Sequence, residues 1–183
     1  MGDAPSEDVA GDSGGVAAHL DARAFQADRN EVILRAVRQG VGAIICPGTD
    51  LESSRVALDL AGSYSWVYAA LGFHPHDASR LTGAALEDLE RLASRARVVA
   101  IGEIGLDFYR NLSPRDEQRK ALEAQLELAT SVDLPVIVHC REAHQESLAI
   151  LRKWAARSRP AAERPLGVMH CFSGDEKEGL ELI

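Results

Sequence analysis

Apolar positions along the chain alternate between short unbroken runs and longer stretches with helical spacing. The runs are Val41 to Cys46, Trp66 to Phe73, Val98 to Asp107, Pro135 to Arg141 and Leu166 to Cys171, with a weaker one at Gly15 to Asp21. A short apolar run with charge only at its exit predicts a strand buried on both faces, as in a parallel sheet covered by helices. Between the runs, Val32, Ile33, Ala36 and Val37 predict a helix over Asp28 to Gln39, stopped by Gly40. Thr49-Asp50-Leu51-Glu52 has the form of a capping box and opens a second helix to about Ala61. Leu86, Leu89 and Leu92 give the stripe of a third. Leu122, Leu126 and Ala129 give the buried face of a fourth, capped by Ser113 with Pro114 first in the helix. Leu148, Leu151 and Ala155 face inward from a fifth, about Ala143 to Ala156, and one more helix begins after Gly174.

Six strands each followed by a helix, at a beat of roughly thirty residues, are the βα units of a parallel sheet. A closed barrel of eight such units usually takes about 250 residues. The 183 residues therefore leave two architectures, an open sheet of another topology or a barrel about two units short.

Composition narrows the class. Hydrophobic residues make up 46% of the chain and aromatics only 5%, so a single domain over residues 15–183 has a core of Ala, Leu, Val and Ile. Residues 1–14 are acidic and Gly/Ala/Ser-rich and read as a disordered tail, or as a mistaken start of translation. A net charge of −8 argues against a general basic surface gripping nucleic acid. It leaves a phosphate substrate open, because bound cations supply positive charge locally. Cys46, Cys140 and Cys171 lack metal-site or redox spacing and read as small buried hydrophobes in a reduced cytoplasm. Neither a membrane-length apolar span nor a secretory leader is visible, which fits a cytoplasmic protein with no membrane partner.

Candidate chemistry gathers where strands run out into loops. His74, His76, Glu103, His139 and His170 stand at such exits, and His19 follows the weak first strand. In parallel α/β folds those exits share one rim, where reactive groups collect. Neutral imidazoles with a carboxylate suit divalent cations, and a Glu can bridge two of them. Two cations about 3.5 to 4 Å apart activate a water and clamp both oxygens of a phosphodiester displacement. Asp107 is either an acceptor for a metal-bound imidazole or a plain loop residue. Arg141, two residues after His139, either forks onto a phosphate or pairs with Glu142 or Glu146. His144 reads as a solvated residue in the first turn of a helix, and Ser173-Gly174 as an anion-binding helix start or an ordinary N-cap.

Several blocks in order carry a resemblance: Pro47-Gly48-Thr49-Asp50, Gly72-Phe73-His74-Pro75-His76, Gly102-Glu103-Ile104-Gly105-Leu106-Asp107, Pro135 to Ala143, and His170-Cys171-Phe172-Ser173-Gly174. Over Gly15 to Ile183 the chain resembles the TatD family of metal-dependent, deoxyribonuclease-like hydrolases. The resemblance implies a (β/α)8 TIM barrel, here incomplete with about six of eight βα units and cut short at its C-terminus. It implies two divalent cations (Mg, Mn or Zn) bridged by Glu103, with His139 and His170 on one and an N-terminal His-x-His pair on the other. Glu103, His74 and His76 are then the catalytic set, Arg141 a substrate-binding residue, and His19, Glu103, His139 and His170 the metal ligands.

The implied reaction is ester hydrolysis, foremost of DNA, by metal-activated water. An aminoacyl-tRNA deacylase or amidohydrolase-like activity is the alternative at the same site. Two departures point to weak or absent activity. The family's Asp-[Ser/Thr]-His-x-His-Leu-Asp falls on Gly15 to Asp21, so Ala17 stands at the first histidine, and the later Glu-Thr-Asp-x-Pro does not occur by Ile183. Gln145 is a lesser departure, at a position where an acid is usual. At most four of the family's six ligands remain, and Ala17 motivates a third reading as a non-catalytic scaffold. Open strand edges would limit solubility unless a partner covers them, and the sequence sets no oligomeric state.

Overall fold

The structure, a computed structural model, describes residues 15–158, 164–170, 172 and 174–180. The expected tail at 1–14, Cys171 and Ser173 lie outside the described residues. Among the described residues six strands alternate with six helices: β1 (Gly15–Ala17), α1 (Arg29–Arg38), β2 (Ala43–Pro47), α2 (Leu51–Ser63), β3 (Val67–Leu71), α3 (Gly83–Ala93), β4 (Val98–Asp107), α4 (Arg115–Ser131), β5 (Val136–Arg141), α5 (His144–Ala155), β6 (Gly167–His170) and α6 (Glu176–Leu180). Short 3-10 turns occupy Arg23–Phe25 and Pro75–Arg80. No helix among the described residues is long and apolar enough to cross a membrane.

Every neighbouring strand pair is parallel and the order is β1-β2-β3-β4-β5-β6. A doubly wound sheet reverses its strand order part-way, whereas right-handed crossovers between strands laid down in sequence put every helix on one face. The sheet is a curled, incomplete barrel, and the open-sheet alternative falls away. Its two faces carry separate apolar layers. Cys46, Leu71, Ile101, Ile104, Leu106, Val136, Val138 and Cys140 pack outward with Ile33, Leu89, Leu122, Leu126 and Trp154 of the helices. Ala70, Ala100 and Ile137, with Ile45, form the small inner layer. Each fully buried Leu or Ile contributes about 1.5–3 kcal/mol through burial, so the outer layer dominates the stability.

Alternation along β5 decides where its histidine points. Val136, Val138 and Cys140 belong to the helix-side layer and Ile137 to the inner one, so His139 faces the barrel interior.

Two capping expectations are corrected. Asp50, not Thr49, is the N-cap of α2: its carboxylate accepts from Ser53 N–H (2.8 Å) while Ser53 Oγ accepts from Asp50 N–H (2.9 Å). The box is shifted by one residue because the strand β2 runs through Pro47 and delivers Asp50 at the turn. Pro114 occupies the N-cap of α4, and Ser113 instead ties two loops together, donating to His76 O (2.8 Å) and accepting from Ser79 N–H (3.2 Å).

Candidate metal centre

Glu103 owes its direction to an irregularity in β4. Ile101 is the partner of Val136 and Ile104 of Val138, so three steps on β4 face two on β5. Ile101 and Ile104 both enter the helix-side core. In an unbroken strand Glu103 would follow Ile101 into that core; the extra residue turns it to the inner face instead. Two glycines make room. A Cβ on Gly102 would lie 2.6 Å from Ile137 Cβ, and one on Gly105, whose φ is +147°, 1.9 Å from His139 O. Glu103 is 3% exposed, and its N–H donates to Gly48 O at the end of β2 (3.1 Å).

Four imidazoles surround the two carboxylates. Glu103 Oε1 lies 3.1 Å from His139 Nδ1, and Oε2 lies 3.3 Å from His19 Nε2. Asp107 Oδ2 meets His76 Nε2 at 2.9 Å and His139 Nε2 at 3.2 Å, so His139 is held between two carboxylates. The His74 ring packs edge-on between His76 and His139, with centroids 4.2 and 4.4 Å away. Its Nδ1 accepts from His76 N–H at 3.1 Å. A backbone amide can only donate, so neutral His74 carries its own proton on Nε2.

Electrostatics follow from burial and these contacts. Burial, and then the neighbouring His139, push the His74 imidazole down to about 3, leaving it neutral at ordinary pH. Burial works to raise Glu103, but hydrogen bonds from His139 and His19 outweigh it and hold the carboxyl well below its usual range. The same bond to Glu103 raises His19 against the effect of burial. Asp107 resists burial likewise, through Arg110 N–H and then His76 and His139, and stays below the usual carboxylate range.

These donors fit a divalent cation. Ligands about 2.0–2.2 Å from one metal and roughly at right angles stand about 3 Å apart, which is the spacing of each Glu103 oxygen from its imidazole nitrogen. One carboxylate with a different imidazole on each oxygen is the disposition of a bridging ligand. One donor atom each of His74, Glu103 and His139 also lie within 4.8 Å of one another. Among these, Nε2 of His74 is protonated in the neutral ring, which favours hydrogen-bond donation over ligation.

His19, His74, Glu103 and His139 therefore meet, and His76 joins them through Asp107. His170 is the Cα partner of His139 on β6 and is placed beside it by register. The expected first strand through Asp21 ends at Ala17, and His19 stands in the loop beyond. Arg141 faces neither Glu142 nor Glu146; its guanidinium lies over the Tyr109 ring, and Glu146 pairs with Arg119. His144 is half-buried, edge-on to Phe172 at 5.9 Å, because α5 begins against that ring.

Asp107 is not a plain loop residue: it ends β4, is 1% exposed and is bonded to two imidazoles. Sequence reasoning passed over Gln118 and Gln125. Both are fully buried on α4. Gln118 accepts from Asp107 N–H (2.8 Å) and donates to Ser113 O (2.8 Å); Gln125 accepts from Phe73 N–H (2.6 Å) and donates to Phe73 O (3.1 Å). They anchor the strand exits that carry Asp107 and His74. Their spacing of seven on one helical face, in line with Leu122, was the available signal.

Sequential parallel βα units with an acid and imidazoles at the C-terminal rim define a class, β/α-barrel proteins carrying a His/Glu group able to hold a metal ion. The family described as TatD related DNase matches residues 16–183. The chain belongs to that family. It is 43% identical over 164 residues to a "3'-5' ssDNA/RNA exonuclease TatD" of Musicola paradisiaca, covering 89% of this chain and 60% of the relative. A protein of the same description from Pectobacterium parmentieri is 39% identical, covering 89% and 61%. Among solved structures, the TatD homologue YJJV of Escherichia coli k12 superposes with a TM-score of 0.79 at 36% identity, over 93% of this chain and 63% of that one. A TatD family hydrolase of Entamoeba histolytica gives 0.78 at 25% identity, over 90% and 59%. The chain thus spans about 60% of the length of the curated relatives it matches.

Proposed function

We propose that this chain builds most of the site of a metal-dependent hydrolase that cleaves phosphodiester bonds in single-stranded nucleic acid, DNA foremost. The observation that carries the reading is the Glu103 carboxylate with an imidazole on each oxygen. His19, Glu103, His139 and His170 would hold two divalent cations, Mg, Mn or Zn. When bound, the cations supply an activated water and neutralise phosphate charge. The relatives' description as single-stranded DNA/RNA exonucleases supports the substrate class. The buried thiol of Cys46 supports a reducing, cytoplasmic setting.

The remaining residues position and stabilise. Glu103 stays ionised and keeps His19 and His139 turned toward it. Asp107 fixes the His139 ring from its other nitrogen and holds His76. His74, neutral, offers its Nε2 proton as a fixed hydrogen-bond donor to negative charge developing on a phosphoryl oxygen. Arg141 supplies a guanidinium for a phosphate at the rim. A second reading, a non-catalytic scaffold, is favoured by Ala17, which offers no ligand at the end of β1.

Calorimetric titration with Mn²⁺, alongside cleavage of an end-labelled single-stranded oligonucleotide in Mg²⁺ or Mn²⁺, tests the proposal. Wild type should bind the cation and release product, weakly if Ala17 costs a ligand, and Glu103→Gln should lose both. No cation binding at millimolar Mn²⁺ overturns the metal site. Product from aminoacyl-tRNA alone moves the chain to the deacylase reading. Cation-free behaviour that Ala17→His leaves unchanged establishes the scaffold.

A further inference from the structure

Tyr109 stands two residues beyond Asp107 and is 56% exposed. One exposed aromatic is ordinary in itself. Here the loop that carries it is pinned from several sides. Asp107 Oδ1 accepts from Arg110 N–H (2.7 Å), Phe108 N–H donates to Arg141 O (3.0 Å), and Asn111 N–H donates to Asp107 O (3.2 Å). Gln118 holds the far end through Ser113 O (2.8 Å). Phe108 turns under the guanidinium of Arg115, 4.3 Å from its ring centre, which leaves Tyr109 to point outward. An aromatic held outward on an immobilised loop loses little freedom when a flat ligand covers it.

The cation over that ring is placed by the sheet. Arg141 is the Cα partner of Asp107 and follows His139 by two positions, and its guanidinium lies 3.8 Å from the Tyr109 centroid. In a chain of net charge −8, a polyanion meets repulsion over most of the surface. Beside the carboxylate–imidazole cluster it meets a guanidinium stacked on an aromatic ring, the pairing that binds single strands through base and phosphate together.

We infer that Tyr109 is a base-stacking platform at the mouth of the site, with Arg141 taking the adjoining phosphate of the same single strand. The inference rests on the nucleic-acid reading above and adds a specificity-determining residue to it. A stacked base makes the site favour a strand whose bases are free, because a duplex keeps them covered by their neighbours.

Fluorescence anisotropy with labelled decathymidylate, in calcium to limit cleavage, reads the platform directly, with an abasic strand of equal length as the control. Tyr109→Ala should weaken binding to the base-bearing strand about 5- to 100-fold and leave the abasic strand nearly unchanged. Tyr109→Phe, which keeps the ring, should bind as wild type. Arg141→Ala should weaken both strands and reduce the salt slope by about one. If wild type binds the strand and Tyr109→Ala binds it equally well, the platform is refuted and the hydrolase reading stands. If wild type neither binds nor cleaves single strands, the nucleic-acid reading falls and the platform with it.

Discussion

His74 provides a direct thermodynamic test of the buried cluster. Burial holds its imidazole at about 3, against 6.5 in an ordinary setting. Between those values the unfolded chain binds one proton that the folded chain refuses, so stability falls as pH falls, by about 1.4 kcal/mol per unit. Taking the metal-free protein from pH 7.5 to 4.5 should cost about 2.5 kcal/mol through His74 alone, a large part of an ordinary folding free energy of about 5–15 kcal/mol. His19 acts with the opposite sign, because its folded pKa is raised: its contribution is complete below 6.5 and disappears as pH rises through the folded value. Glu103 loses its contribution only below its unfolded value of 4.5, outside the window. His74→Asn retains an acceptor for His76 N–H and removes the titration. Urea unfolding of both proteins with a chelator present, followed by circular dichroism at half-unit steps, isolates the difference. Wild type should lose about 2.5 kcal/mol relative to His74→Asn across the window. Parallel pH profiles would refute the picture of a desolvated, neutral imidazole at this place.

Gln118→Leu should destabilise the fold by about 3 kcal/mol in urea unfolding, since it leaves Asp107 N–H and Ser113 O buried without partners. Asp107→Asn should weaken Mn²⁺ binding about 10- to 100-fold by calorimetry and lower the melting temperature of the metal-free protein, because it removes a buried carboxylate that orients His139 and is held ionised by its hydrogen bonds. Cys46, fully buried with its thiol pushed up to about 11, should resist a disulfide reagent at pH 8 in the folded protein and react at once in denaturant.

The strand runs and helical stripes make the order of elements legible, because a strand covered on both faces has no polar residues to break the pattern. The rim was legible for the same reason at His139, a polar group where an apolar run ends, whereas Glu103, expected at a strand exit, lies inside β4, which runs on to Asp107. What the pattern hides is direction. Glu103 faces its imidazoles only because β4 holds one residue more than β5 opposite it, and a shift of that kind depends on a partner strand some thirty residues away. The buried glutamines were hidden differently, since a polar residue among charged neighbours on a helix reads as solvent-facing until the backbone groups it serves are located. Tyr109 carried no pattern at all; its meaning comes from Arg141, which reaches it across the sheet.

The two glycines of β4 set the gauge between the acids and His139. No side chain separates β4 from β5 there, so the gap between the two acids of β4 and His139 on β5 equals the contact distance of bare main chain. Even one methyl at position 105 would prise β5 and His139 away from β4 without altering a single polar atom. Variants meant to admit a larger or smaller ion should therefore be sought in this seam, with the ligands themselves left as they are.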